Sequence, residues 1–196
     1  RRKLALDVSF GGGQAPLYNE HTLFFRMSPR VRFSEKLFMY YVFSTKLTEN
    51  ETGYITRDND HSIFSTRQKQ FFTNVLKAEY VLNTKMSFDF KFRHHWEQVR
   101  NYSFHTLDKY GYLEDSDYVG DRDVNFNAWN TDLNFNYWFA PASEISIVWK
   151  NSILTSGNRV ESYYKDNLEA LLNNPQENSL SLRVRYFLDY QYLKKK

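Results

Sequence analysis

Apolar and polar residues alternate along most of this chain with a period of two. In "MSFDFKFRHHWEQ", Met86, Phe88, Phe90, Phe92, His94 and Trp96 form one set, and Ser87, Asp89, Lys91, Arg93, His95 and Glu97 the other. Successive strand residues point to opposite faces, so this is the signature of β-strands with one apolar and one polar side. The same pattern recurs in "KLALDVSF", "LFFRMSPRVRF", "LFMYYVFSTKL", "NVLKAEYVL", "WNTDLNFNYWF", "EISIVWKNSI" and "NSLSLRVRYFLDYQYL". It predicts about eight strands, most of ten residues or more. Val124 and Phe126 fall out of phase with Trp129, which predicts a β-bulge near Asn127.

Between the strands, "FSEKL", "LNTKM" and "FAPASEI" read as tight turns. The polar segments "GGGQAPLYNE", "TENETGYITRDNDHS", "LDKYGYLEDSDYVGDRD" and "SGNRVESYYKDNLEALLNNPQEN" read as long loops, the last with a short helix carrying Leu168, Leu171 and Leu172 on one face. The tight turns all fall on the side of the C-terminus. Short turns at one end and long loops at the other match an even-stranded transmembrane barrel with both termini periplasmic.

Composition favours the same architecture. Aromatics are 18% of 196 residues, with 17 Phe and 15 Tyr, beside 25% charged residues; mean hydropathy is −0.67. Aromatic girdles and a polar lumen account for that combination. A soluble eight-strand barrel would have to pack the large side chains of every strand inside, where there is little room. The expected fold is therefore all-β, one antiparallel transmembrane β-barrel domain or the C-terminal part of a larger barrel, with no second domain. No apolar run is long enough for a membrane helix. The start "RRKLALDVSF" carries no signal peptide, from which a processed or longer parent chain is expected.

The expected lumen row is Arg26, Arg30, Arg32, Lys77, Glu79, Asp89, Lys91, Arg93, His95, Glu97, Asp132, Arg183, Arg185 and Asp189. The expected lipid-facing and girdle set is Phe88, Phe90, Phe92, Trp96, Trp129, Phe135, Tyr137, Trp149, Leu182, Val184, Tyr186, Leu188 and Tyr190. Tyr192 sits with the girdle, and the triplet Lys194, Lys195 and Lys196 is expected in the periplasm.

The chemistry-bearing residues point away from a catalytic or metal site, and no cofactor is expected. With no cysteine, thiolate chemistry is excluded. His94 and His95 are adjacent on a strand and cannot chelate one ion; His21, His61 and His105 have no ligand spacing. Glu114, Asp115, Asp117, Asp121 and Asp123 crowd one loop without a calcium-loop pattern. Asp89 and Glu97 are too far apart on one strand for a glycosidase pair, although Glu79 on a neighbour could supply a cross-strand carboxylate. Net charge is only +3, without a basic patch, so nucleic acid is not an expected partner.

"MSPRVRFSEKL", "YVLNTKMSFDFKFRHHWEQV", "LDKYGYLED", "DVNFNAWNTDLNFNYWFAPASEISIVWKNSI" and "PQENSLSLRVRYFLDYQYL" resemble the C-terminal barrel region of a Bacteroidota outer-membrane family, domain of unknown function 5916. The resemblance implies a Gram-negative outer-membrane location. It also implies a preceding carbohydrate-binding, family-nine-like domain through which glycan would be met, and further barrel strands. It implies no catalytic residue. The expected function is a non-enzymatic anchor for a glycan-binding domain or outer-membrane assembly. Its partners are then outer-membrane lipid and other outer-membrane or periplasmic proteins. The alternative is a pore for small solutes with Arg30, Arg32, Arg93, Arg183 and Arg185 along a wet lumen; an outer-membrane hydrolase is the third expectation.

Overall fold

A computed structural model describes residues 3–188. Nine strands form one antiparallel sheet: β1 (Leu4–Ala15), β2 (Glu20–Arg32), β3 (Leu37–Asp58), β4 (His61–Asn83), β5 (Met86–Leu107), β6 (Leu113–Asp115), β7 (Val124–Ala140), β8 (Ser143–Gly157) and β9 (Glu177–Arg185). The order is β1-β2-β3-β4-β5-β7-β8-β9, so every neighbour is also next in sequence, apart from the three-residue β6 on the outer end of β5. The expected eight long strands are present. The sheet is not closed: among the described residues, β1 and β9 each pair on one side only.

Antiparallel pairing puts directly opposed residues on the same face, and the register carries the alternation across the whole sheet. One rung runs Leu180, Trp149, Leu133, Phe90, Ala78, Met39, Val31, Leu4. The next on the other face includes Asp132, Lys91, Lys77, Tyr40 and Arg30. One face is therefore apolar and the other polar. The apolar run reaches its first polar or glycine residue later toward β1: it ends on the shared rung of Leu180 (β9), Trp149 (β8) and Leu133 (β7), then at Phe92 (β5) and Leu76 (β4) on the next same-face rung, and further on at Phe43 (β3), Leu23 (β2) and Phe10 (β1). Phe10 lies six residues beyond the rung that Leu180 occupies through Leu4. At the other edge, alternation continues through Leu188, eight residues past Leu180, whereas on β1 it ends at Leu4. The apolar band thus crosses the sheet obliquely.

Three sequence expectations need correction. "TENETGYITRDNDHS" is not a loop, because β3 and β4 stay paired to Asp58↔His61. Its alternation is lost because both faces are polar there, yet Thr, Tyr and Ile still favour extended backbone. Asn59 and Asp60 close it with positive φ at both positions (43° and 66°), the two-residue turn whose twist suits a hairpin. "GGGQAPLYNE" is mostly strand as well: β1 runs to Ala15, and only Pro16–Tyr18 form a short 3-10 turn. The bulge near Asn127 is absent, since β5 and β7 pair without interruption from Met86↔Tyr137 to Val99↔Val124. Phe126 is out of phase because its ring belongs to the polar face, 6.3 Å from that of His95.

The left-handed turn predicts that Asp60→Val forces a β-branched residue to positive φ at a cost of about 1–3 kcal/mol, whereas Asp60→Gly is tolerated. Amide hydrogen exchange over Thr56–Ile63 reads the difference; equal protection in both variants would rule out this turn.

Candidate functional site

The register brings Arg26, Arg30, Arg32, Lys77, Glu79, Asp89, Lys91, Arg93, His95, Glu97, Asp132, Arg183 and Arg185 to the polar face. Asp189 lies outside the described residues. About half of them are in ion pairs. Lys69 meets Glu97 at 2.9 Å, and His95 approaches the same carboxylate at 3.7 Å. Arg93 reaches Asp132 at 3.4 Å. Glu144 is bracketed by Arg183 (3.1 Å) and Arg185 (3.7 Å). Arg30 pairs with Asp7. Glu79 does stand directly opposite Asp89, with Lys77 opposite Lys91 on the adjacent rung; Asp89 accepts a hydrogen bond from Asn136 Nδ2 at 3.1 Å. Like charges face one another here, and opposite charge comes from diagonal neighbours.

Phe88, Phe90, Phe92, Trp96, Trp129, Phe135, Tyr137, Trp149, Leu182 and Val184 share the apolar face. Tyr186 and Leu188 follow β9, with Tyr186 stacked on Phe139 at 6.2 Å. Tyr190, Tyr192 and the terminal lysines lie outside the described residues. Much of this face is bare: Leu180 is 75% exposed and Phe10 81%. Trp96 departs from its expected girdle position. It is 1% exposed, covered by the helix α1 (Tyr164–Leu172), with the Tyr164 ring 5.8 Å away.

That helix packs on its own sheet, and its inner face is the expected one only in part. Asn167 and Leu171 are buried and Leu172 is exposed, so spacing of three and four turns Tyr164, Asn167 and Leu171 inward. Beneath it runs a continuous relay. Tyr41 donates to Asn74 Oδ1 (2.5 Å), and Asn74 Nδ2 donates to the Tyr164 hydroxyl (3.0 Å). With His94 as its Nε2–H tautomer, Tyr164 donates to His94 Nδ1 (2.8 Å). His94 Nε2 then donates to Asn127 Oδ1 (3.3 Å). Asn127 and Asn167 close the relay with two reciprocal amide bonds of 2.9 and 2.7 Å. Burial, and then neighbouring Tyr41, push the Tyr164 phenol above its ordinary pKa, which keeps it a donor. Sequence reasoning missed Asn74, Asn127, Tyr164 and Asn167. The available signal was two asparagines on the apolar phase of β4 and β7, positions that only a polar lid would satisfy.

His94 and His95 take opposite faces, as adjacent strand residues must. In the acidic loop, Asp123 accepts from Asn101 and Asp121 from Asn158, while Asp115 meets His105 at 3.3 Å. Among the described residues no three metal-ligating side chains converge.

The model of one family, the domain of unknown function DUF5916, matches residues 1–196. The chain belongs to this family. No curated protein matches it. For a DUF5916 chain the geometry therefore carries the functional argument, and it offers two surfaces: a charged, accessible face and a polar relay under α1, whose His94, Asn127 and Asn167 are buried while Tyr164 is partly exposed.

Tyr164→Phe should leave His94 Nδ1 and Asn74 Nδ2 without partners and cost about 1–3 kcal/mol, while exposed Lys165→Ala changes little. Denaturant unfolding gives both values, and a Tyr164→Phe variant as stable as the parent would remove the relay from any role in holding α1.

Proposed function

We propose that this chain forms the wall of a transmembrane β-barrel in the outer membrane of a Gram-negative bacterium. The oblique apolar band carries the reading. Its edges move six and eight residues over the seven steps from β9 to β1, about one residue per strand. With a rise of roughly 3.3 Å per residue and strands about 4.8 Å apart, a flat slab would cut the strands at a tilt of about 35°. Membrane barrels tilt their strands by roughly 35–45°. The band on β2, Leu23 to Val31, spans about the length that a tilted spanning strand needs. A soluble monomer rarely leaves so large an apolar surface bare.

Two further features support it. Register shifts occur at Thr48/Glu51, Tyr54/Thr56, Thr66/Arg67, Val81/Asn83 and Trp138/Ala140, all at or beyond the edges of the band. In lipid an unpaired backbone group has no water to turn to. On β4, β5 and β7, where Asn74, His94 and Asn127 interrupt the apolar face, α1 covers them.

The role we assign is non-enzymatic. The wall anchors an outer assembly, with long hairpins and loops as its contact surface. A second reading, passage of small solutes, is favoured by the accessibility of the polar face, where the Arg93 side chain is 46% exposed and that of Arg183 63%. Conductance in planar bilayers separates the two.

For the membrane reading itself, Leu182→Arg should destabilise the protein in lipid vesicles by about 2–4 kcal/mol, and Ser181→Arg, one residue away on the polar face, far less. Equal costs would sink it.

A further inference from the structure

One rung of the polar face breaks its charged pattern. Across five neighbouring strands it reads Phe24, Lys46, Phe71, Glu97, Phe126. The three phenylalanines alternate with a cation and a carboxylate. Phe24 is 45% exposed and its ring lies over Gly11, where a Cβ would meet it at 2.7 Å. Between Phe71 and Phe126 sits the His95 ring, with centroids 5.8 and 6.3 Å from theirs. Thr73 Oγ1 at 2.8 Å from Nδ1 and Glu97 on the other side hold that imidazole in place. The result is a strip of three rings set into an otherwise charged wall.

Beside it opens a pocket of about 280 Å³ lined by Phe71, His95, Lys46, Glu51, Lys69 and Glu97, among others. Lys69 pairs with Glu97, and Glu51 with Arg67, so most of the charge in the pocket is already committed and an ionic ligand would gain little from it. A wholly apolar ligand would strip water from these charges without replacing its hydrogen bonds. A ligand with flat C–H faces and a hydroxyl edge meets both demands: its faces lie on the rings, and its hydroxyls reach the fixed donors and acceptors. That describes a pyranose. On β3 and β5 the pocket residues lie beyond Phe43 and Phe92, the last residues of the apolar band there, at its long-hairpin edge.

We propose that the Phe71–His95–Phe126 strip and its flanking charges form a binding subsite for the sugar rings of an uncharged oligosaccharide at the outer mouth of the barrel. The proposal rests on the membrane-barrel reading and names the solute class its polar face would meet. Phe126 then has a reason to stand out of phase.

The test is saturation-transfer NMR on the detergent-purified protein with maltohexaose, cellohexaose and hexagalacturonate as probes. Transfer to the ring protons of at least one neutral hexaose is expected. It should fall at least fivefold in F71L/F126L, which keeps apolar bulk but removes the flat rings, and persist in Phe135→Leu on the opposite face. No transfer to either neutral probe, transfer that survives in F71L/F126L, or preference for the anionic probe would each overturn the subsite. Heat-modifiable migration of the same sample separates the two levels. A heat-modifiable protein without transfer loses only the subsite, and one that never shows a folded band loses the barrel reading and the subsite with it.

Discussion

The hydrogen-bonded register between neighbouring strands decides which side chains meet, because a slip of one residue would turn every side chain of a strand to the opposite face. Here it holds through the whole apolar band, from Leu4 on β1 to Leu180 on β9. The ion pairs on one side and the bare hydrophobic surface on the other both follow from it. So does the F-K-F-E-F rung, whose members come from five strands and are brought together by nothing except the ladder.

The two faces solve opposite problems. On the polar face, charges are close enough to neutralise one another, and Lys69, His95 and Glu97 form a three-membered cluster. On the apolar face, each polar group is a liability unless satisfied locally. The relay from Tyr41 to Asn167 meets that demand, and α1 buries its core of Asn74, His94, Asn127 and Asn167. Four of its members come from the sheet and two, Tyr164 and Asn167, from a helix far along the chain, so neither part is complete without the other.

The faces were legible in the sequence because period-two alternation is a local property. Phe88, Phe90 and Phe92 against Asp89, Lys91 and Arg93 needed no neighbour to be assigned. The extent of the hairpins was not legible, because past Leu47 and Trp96 the alternation signal fades while pairing continues. The short helix could be read, but its inward face only in part. Leu168, Leu171 and Leu172 looked like the packing residues; Leu171 is buried, but Leu172 is exposed, and Asn167 goes inward because Asn127 stands opposite it. Phe126 shows the same limit: the phase break was visible, but a ring turned to the polar side and an inserted residue look alike until the partner strand is known.

The distribution of register shifts has a consequence for how this chain can change in length. Inside the apolar band the ladder tolerates no extra residue, because each would reverse a whole strand. In the parts of β3, β4 and β5 beyond that band the ladder already absorbs irregularities at Thr48/Glu51, Tyr54/Thr56 and Thr66/Arg67. The Asn59–Asp60 tip lies beyond all of them. Foreign peptide spliced there would be displayed on a stiff stalk, with the apolar part of the sheet insulated from it by three points of mechanical slack.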